Sequence, residues 1–138
     1  MKQHSTNYEN TFIEIAEDCP VSQGEIPPLK GDKKSLANLQ FEMLHDKPYQ
    51  YTSDDVFFKV FATRKDLIDS ELETARQEFF SKGQPCFRAS PLTKRYGWGV
   101  HSNAEGKVAL YGAESEAYER FVADSTIAKV TAMRTKRK

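Results

Sequence analysis

The chain has 138 residues, and its 20 basic residues are matched by 20 acidic ones, so the formal net charge is zero. This length predicts one domain with its own core, and the absence of net charge argues against nucleic acid as a partner of the whole molecule. The longest apolar stretch, VFFKVFA, is too short to span a bilayer, and MKQHSTNYENTFIE lacks the apolar region of a signal peptide, so we expect a cytoplasmic protein outside the membrane.

The segment NTFIEIAE, which runs to Glu17, predicts a first strand. Phe12, Ile13 and Ile15 favour β structure, and Pro20 stops the pairing because proline lacks a backbone donor. Residues 20–34 contain three prolines and two glycines. They predict a long connection that crosses the surface.

Ser35 predicts the N-cap of the first helix, whose apolar stripe is followed by Pro48. The helix is expected to end near Asp46, since the residue before a proline disfavours helical geometry. The next segment is ambiguous. Ser53 and the two acids after it could open a helix, but residues 56–63 are rich in β-branched and aromatic side chains on both parities. We therefore predict a central strand there, covered on both faces.

A second helix is predicted to begin at Ser70, which forms a capping box with Glu73, and to end at Gly83. After a hairpin, two short helices are predicted. The first buries Tyr118, Phe121 and Val122, and the second begins at Asp124 or Ser125 and buries Ile127 and Val130. The resulting order, β-α-β-α-β-β-α-α, predicts an α+β domain over residues 1–133, with a mostly antiparallel sheet of about four strands. Residues 134–138 are predicted to form a basic tail.

The hairpin strands, at about 95–101 and 107–112, flank the turn SNAEG. If His101 pairs with Lys107, then Tyr96, Trp98 and Val100 lie on an apolar core face. The other face sets Gly97 opposite Tyr111 and Gly99 opposite Ala109. Glycine weakens a strand unless something approaches its backbone closely, so this face should be filled either by a helix or by a ligand.

The segment that leads into the hairpin carries three cations, and it borders the two glycines. Such a group can hold a carboxylate or a phosphate. The leading hypothesis is a binding module for a small anionic ligand, using residues 84–101. The predicted ligand-binding residues are Arg88, Ser90, Lys94, Arg95, Gly97, Gly99, His101 and Tyr111.

Two other functions stay open. Cys86 follows Pro85 in a basic segment that would lower its thiol pKa, and with His101 as base it would make a thiol-dependent enzyme. The basic tail could serve a protein- or nucleic-acid-interaction domain. No P-loop, GxGxxG or HExxH motif occurs. The two cysteines, Cys19 and Cys86, and three histidines have no metal-ligand spacing, so we predict no metal, no cofactor and free thiols. The oligomeric state is left open.

Three stretches carry a resemblance to a known family: NTFIEIAEDCP, YTSDDVFF and, above all, FFSKGQPCFRASPLTKRYGWGVHSNAEGKVALYG, with AMRTKR near the end. On these residues the chain resembles a family of small single-domain microbial proteins of unknown function. The resemblance covers nearly the whole chain. It implies one intact domain and names no activity, cofactor or catalytic residue.

Overall fold

Four short strands form the central sheet of the computed structural model, which describes residues 2–136. They are β1 (Thr11–Glu14), β2 (Trp98–Ser102), β3 (Val108–Gly112) and β4 (Ala128–Thr131). Their spatial order is β3-β2-β1-β4, with antiparallel β3/β2 and β2/β1 pairs and a parallel β1/β4 pair. The predicted α+β class with a mostly antiparallel sheet is confirmed.

Five helices accompany the sheet in the described part of the chain: α1 (Leu36–Leu44), α2 (Ser53–Arg64), α3 (Leu72–Phe79), α4 (Pro91–Lys94) and α5 (Glu116–Ala123). Single 3₁₀ turns at Asp69–Glu71 and Phe87–Ala89 precede α3 and α4. α1 begins as predicted, because Ser35 Oγ accepts a hydrogen bond from the Asn38 N–H and Asn38 Oδ1 accepts one from the Ser35 N–H. No helix among residues 2–136 is long and apolar enough to cross a bilayer.

The strand predicted at 56–63 is wrong, because these residues lie inside α2. Thr52 caps the helix: its Oγ1 accepts from the Asp55 N–H, and Asp55 Oδ2 accepts from the Thr52 N–H. Such a reciprocal cap fixes a helix start strongly enough to override β propensity. Apolar residues occur at both odd and even positions of this segment because α2 is covered on two sides. Val56 and Val60 belong to the main core, whereas Phe58 belongs to a second cluster beneath α3.

The start and end of α3 also differ from the prediction. Its first turn is preceded by the 3₁₀ turn, where Glu71 Oε1 accepts from the Ile68 N–H, instead of a capping box at Ser70. The helix ends at Phe79 with Phe80 as its cap, so Gly83 lies beyond it. No residue of α3 itself is buried. This helix is therefore an outer element of the fold.

The predicted last helix is strand β4, which pairs in parallel with β1 from Thr11↔Ala128 to Glu14↔Thr131. Pairing with a strand more than one hundred residues away cannot be read from local periodicity. The helix before it, α5, buries Tyr118 as predicted, but Val122 on it is 39% exposed. The β4 residues complete the sheet in place of the strand wrongly expected at 56–63.

The hairpin register differs from the predicted one by two residues, since Val100 pairs with Leu110 and His101 with Ala109. A shift of two leaves every side chain on its predicted face, because side chains alternate with a period of two. Val100 and Val108 therefore lie in the main core with Ile13. Helices α1 and α2 pack on this face, and α5 packs on the opposite face. The sheet separates the two sides.

Candidate functional site

The glycine face of the hairpin is filled by protein atoms. A Cβ on Gly97, whose φ is 76°, would lie 2.2 Å from the backbone oxygen of Gln23. A Cβ on Gly99 would lie 2.5 Å from Phe12 Cζ and 2.6 Å from Tyr118 Cε2. The 20–34 connection and α5 thus supply the close approach that the two glycines require. There is no room for a ligand over either glycine.

His101 and Tyr111 lie in a hydrogen-bonded cluster on this same side. Tyr49 Oη is 2.8 Å from His101 Nδ1 and 2.8 Å from Tyr111 Oη, and the His101 ring stacks on Phe121 with centroids 4.2 Å apart. Burial lowers the pKa of His101 below its usual value, although the carboxylate of Asp124 opposes this. Burial likewise raises the pKa of Tyr49. His101 is therefore a neutral packing residue at neutral pH.

The predicted cations lie in different places. Arg88 is at the outer edge of β4, where its Nε donates to Thr131 O at 2.8 Å and its own carbonyl accepts from the Met133 N–H. Lys94 and Arg95 lie at the end of α4 and line a separate cleft beside α1. The structure does not bring the three together around one anion site.

The predicted tail begins with residues that contact the body of the protein. Arg134 Nη1 lies 3.0 Å from Glu17 Oε2. The Lys136 and Thr135 N–H groups donate to the Asp18 carboxylate, and these bonds lower the pKa of Asp18. The last two residues of the predicted tail, 137 and 138, lie outside the described residues.

A cavity of about 510 Å³ opens on the other side of the sheet, between α1, α2 and residues 84–90. Its walls are apolar side chains: Leu36, Phe57, Val60, Phe61 and Phe79. Of the predicted site residues, Ser90 and Cys86 line this cavity. The size falls within the range usual for small-molecule sites.

Gln40 lies in the wall of this cavity and is fully buried. Its Oε1 accepts a hydrogen bond of 2.6 Å from Ser90 Oγ, but its Nε2 has no partner among residues 2–136. Ser90 Oγ already accepts from the Leu92 N–H, so its hydroxyl proton goes to Gln40 Oε1 and the amide NH₂ group is the end left unpaired. Buried polar groups are hydrogen-bonded in the great majority of cases. The NH₂ group of Gln40 is therefore a buried donor without an acceptor among residues 2–136.

Two cations stand at the exposed end of the cavity. Arg64 and Lys65, at the end of α2, are both exposed. Neither forms a salt bridge within the described residues. Cations in the last turn of a helix also complement its dipole. No acidic side chain lines the cavity in the described part of the chain, so its electrostatic character is positive.

Cys86 adds a thiol to the same cavity. It is half-buried, and its Sγ lies 3.7 Å from Tyr8 Oη. Burial, and then the hydrogen bond to Cys86, raise the pKa of Tyr8, while the Arg88 guanidinium lowers it. The phenol next to the thiol is therefore protonated. His101 lies on the opposite face of the sheet and cannot act as the base for Cys86.

Sequence reasoning missed most of this cavity. Phe57 and Phe61 lie in the segment 56–63 that was predicted as a strand, and Arg64 and Lys65 follow it directly. All four share one side of helix α2, whereas a strand would place Arg64 on the face opposite the other three. Gln40 carried a usable signal, because it falls between Leu36 and Leu44 at spacings of four residues on an apolar helix stripe. A polar residue at a core position calls for a partner.

The fold and the cavity define a small α+β domain with a concave site between its helices, lined by two cations and by no acidic side chain among the described residues. The chain belongs to the family of unknown function DUF6157, whose family model matches residues 3–138. This confirms the predicted membership of a small single-domain family of unknown function. No curated protein and no solved structure matches the chain.

Proposed function

We propose that the chain binds a small anionic molecule with an apolar body in the cavity between α1, α2 and residues 84–90. The observation that carries the proposal is the unpaired Nε2 of Gln40, which is fully buried in the cavity wall. A buried donor without a partner costs about 1–3 kcal/mol. A ligand carbonyl or carboxylate oxygen that accepts from it would recover that cost.

The walls support an apolar, flat body for the ligand. Phe57, Phe61 and Phe79 all line the cavity, and the rings of Phe61 and Phe79 are 4.7 Å apart. Aromatic side chains favour offset and edge contacts with another ring. A ligand that carries a phenyl group would therefore bury its ring among them.

The rim supports a negative charge on the ligand. Arg64 and Lys65 are the cations that line the cavity in the described part of the chain, and no carboxylate there opposes them. Because both side chains are exposed, their attraction for an anion is modest and decreases with salt. We infer that the ligand's charged group points outward, toward solvent and these two residues.

Calorimetric titration with benzoylpropanoate tests the proposal, because this anion combines a phenyl ring, a ketone and a carboxylate. We expect it to bind more tightly than its neutral primary amide at low salt. Replacing both Arg64 and Lys65 with Gln should weaken the anion roughly fivefold. Lys59→Gln is the matched control, since Lys59 is an exposed cation of α2 outside this cavity. Equal affinity for acid and amide, or an equal loss in the Lys59 variant, would contradict the proposal.

A thiol-dependent reaction is the second candidate, and the observation in its favour is that Cys86 lines the same cavity. The side chain that contacts Cys86 Sγ is Tyr8, not His101. The rate of alkylation by iodoacetamide as a function of pH measures the thiol pKa. A value near the ordinary ~8.5 would remove the basis for this second function.

A further inference from the structure

We propose that Cys86 forms a covalent adduct with small α,β-unsaturated carbonyl compounds that enter the cavity. This inference rests on the proposed binding function, because it uses the same cavity. It adds a chemical class of ligand, which is an unsaturated ketone or acid whose carbonyl oxygen meets Gln40 and whose electrophilic carbon meets the sulfur.

Cys86 is better placed for this reaction than the other thiol, Cys19. Cys86 lines the cavity and contacts Tyr8 Oη at 3.7 Å. Cys19 is also free and half-buried but does not line the cavity. The chain thus contains its own reference thiol.

Gln40 supplies the independent observation that points to a carbonyl ligand. Its buried Nε2 lacks an acceptor among residues 2–136. A carbonyl oxygen that accepts from this amide gains negative charge as a nucleophile adds to the conjugated carbon. A donor held in a water-excluded site stabilises such developing charge more than water does.

The chemistry balances without a further reactant. The thiolate of Cys86 forms a carbon–sulfur bond to the β-carbon, and the π pair of the C=C bond moves toward the carbonyl to give an enolate. The oxygen of the enolate faces Gln40 Nε2. The α-carbon then takes one proton, from the Tyr8 phenol or from water, which replaces the proton that the thiol released. The net change is addition of S–H across the double bond, with nothing oxidised or reduced.

The test uses benzoylacrylate, the unsaturated counterpart of benzoylpropanoate, with intact-mass and peptide-mass measurements over time. We expect one adduct, at Cys86, with a rate that saturates as the probe concentration rises. Cys86→Ser should abolish this fast phase, and Cys19→Ser should leave it unchanged. Benzoylpropanoate, which lacks the double bond, should slow labelling of Cys86 and leave Cys19 labelling as it was.

Gln40→Met isolates the role of the amide. It should lower the second-order rate for benzoylacrylate roughly tenfold, as expected for one lost hydrogen bond to the carbonyl. Its rate with iodoacetamide should stay at the wild-type value, because this alkylation displaces iodide and forms no enolate for the amide to stabilise. The competition by benzoylpropanoate needs no variant, so the result does not depend on how well Gln40→Met folds.

Each outcome decides a different point. If benzoylpropanoate binds but Cys86 and Cys19 react equally fast with benzoylacrylate, the covalent inference fails and the binding proposal stands. If benzoylpropanoate neither binds nor protects Cys86, both fail. A Cys86 rate that stays linear in probe concentration would also overturn the inference, because it would describe an exposed thiol without a site.

Discussion

The buried side-chain amides of Asn38 and Gln40, both on α1, provide the sharpest test of whether the cavity wall holds an unpaired hydrogen-bond donor. Both polar atoms of the Asn38 side chain have partners: Oδ1 accepts from the Ser35 N–H at 2.9 Å and from Ser35 Oγ at 2.8 Å, and Nδ2 donates to Pro27 O at 3.0 Å. Gln40, two residues later, makes one bond and leaves Nε2 unpaired. The perturbations are Asn38→Ala and Gln40→Met, the second of which keeps the volume and removes the amide.

The expected magnitudes follow from these bonds. Gln40→Met removes an unpaired buried donor that costs about 1–3 kcal/mol, but it also leaves the buried Ser90 hydroxyl without its acceptor, which costs a similar amount. The free energy of unfolding should therefore stay within about 1 kcal/mol of the wild type. Asn38→Ala loses three hydrogen bonds, one of which is half of the capping box, and it leaves Pro27 O without its donor, so a loss of about 2–4 kcal/mol is expected.

Urea unfolding followed by circular dichroism measures both free energies, provided the slopes with urea match that of the wild type. In the same samples, the affinity of Gln40→Met for benzoylpropanoate should fall roughly tenfold. If Gln40→Met lost both stability and affinity for benzoylpropanoate, the loss of affinity would be explained by damage to the fold. If Gln40→Met lost about 2 kcal/mol or more, as Asn38→Ala should, the amide of Gln40 would be satisfied in solution and the argument for a ligand acceptor would be refuted.

Two more predictions concern the other side of the sheet. Burial depresses the pKa of His101 in the fold, so the unfolded chain takes up a proton on this residue more readily, and wild-type stability should fall as the pH drops below about 6.5. His101→Gln should flatten this pH dependence of the unfolding free energy in urea titrations between about pH 7.5 and 5.5. The same pH dependence in the variant and the wild type would contradict the prediction. Gly99→Ala should cost about 1–3 kcal/mol in unfolding free energy, since its methyl group would overlap Phe12 and Tyr118. Gly83→Ala meets nothing within 4 Å and should stay within about 0.5 kcal/mol of the wild type; equal losses in both would refute the packing account.

The hairpin was predictable because its faces depend on parity alone. The expected register was off by two residues, yet Val100 and Val108 lie in the core and Gly99 and His101 face α5. The helix start at Ser35 was equally local, since the cap is made by residues three apart. Features set by neighbouring residues can be read from one sequence.

Residues 56–63 and 128–131 were predicted wrongly for opposite reasons. In α2, a local signal was present, the Thr52–Asp55 capping box, but the β-branched and aromatic content outweighed it in the prediction. In β4, local periodicity favoured a helix, and the strand exists because it pairs with β1. Tertiary pairing of this kind leaves no trace in the local pattern.

Two features of this protein look like empty places: the missing side chains of its glycines and the missing hydrogen-bond partner of Gln40. Gly97 and Gly99 lack side chains, and the fold fills that space with the Gln23 carbonyl and the Tyr118 ring, since any neighbour of the right shape can occupy it. Gln40 lacks a hydrogen-bond partner, and only an acceptor can satisfy it. An apolar neighbour would leave the cost in place. The space above a glycine therefore says little about function, because packing within the fold can fill it. An unpaired buried donor beside an open cavity still requires a partner of defined chemistry.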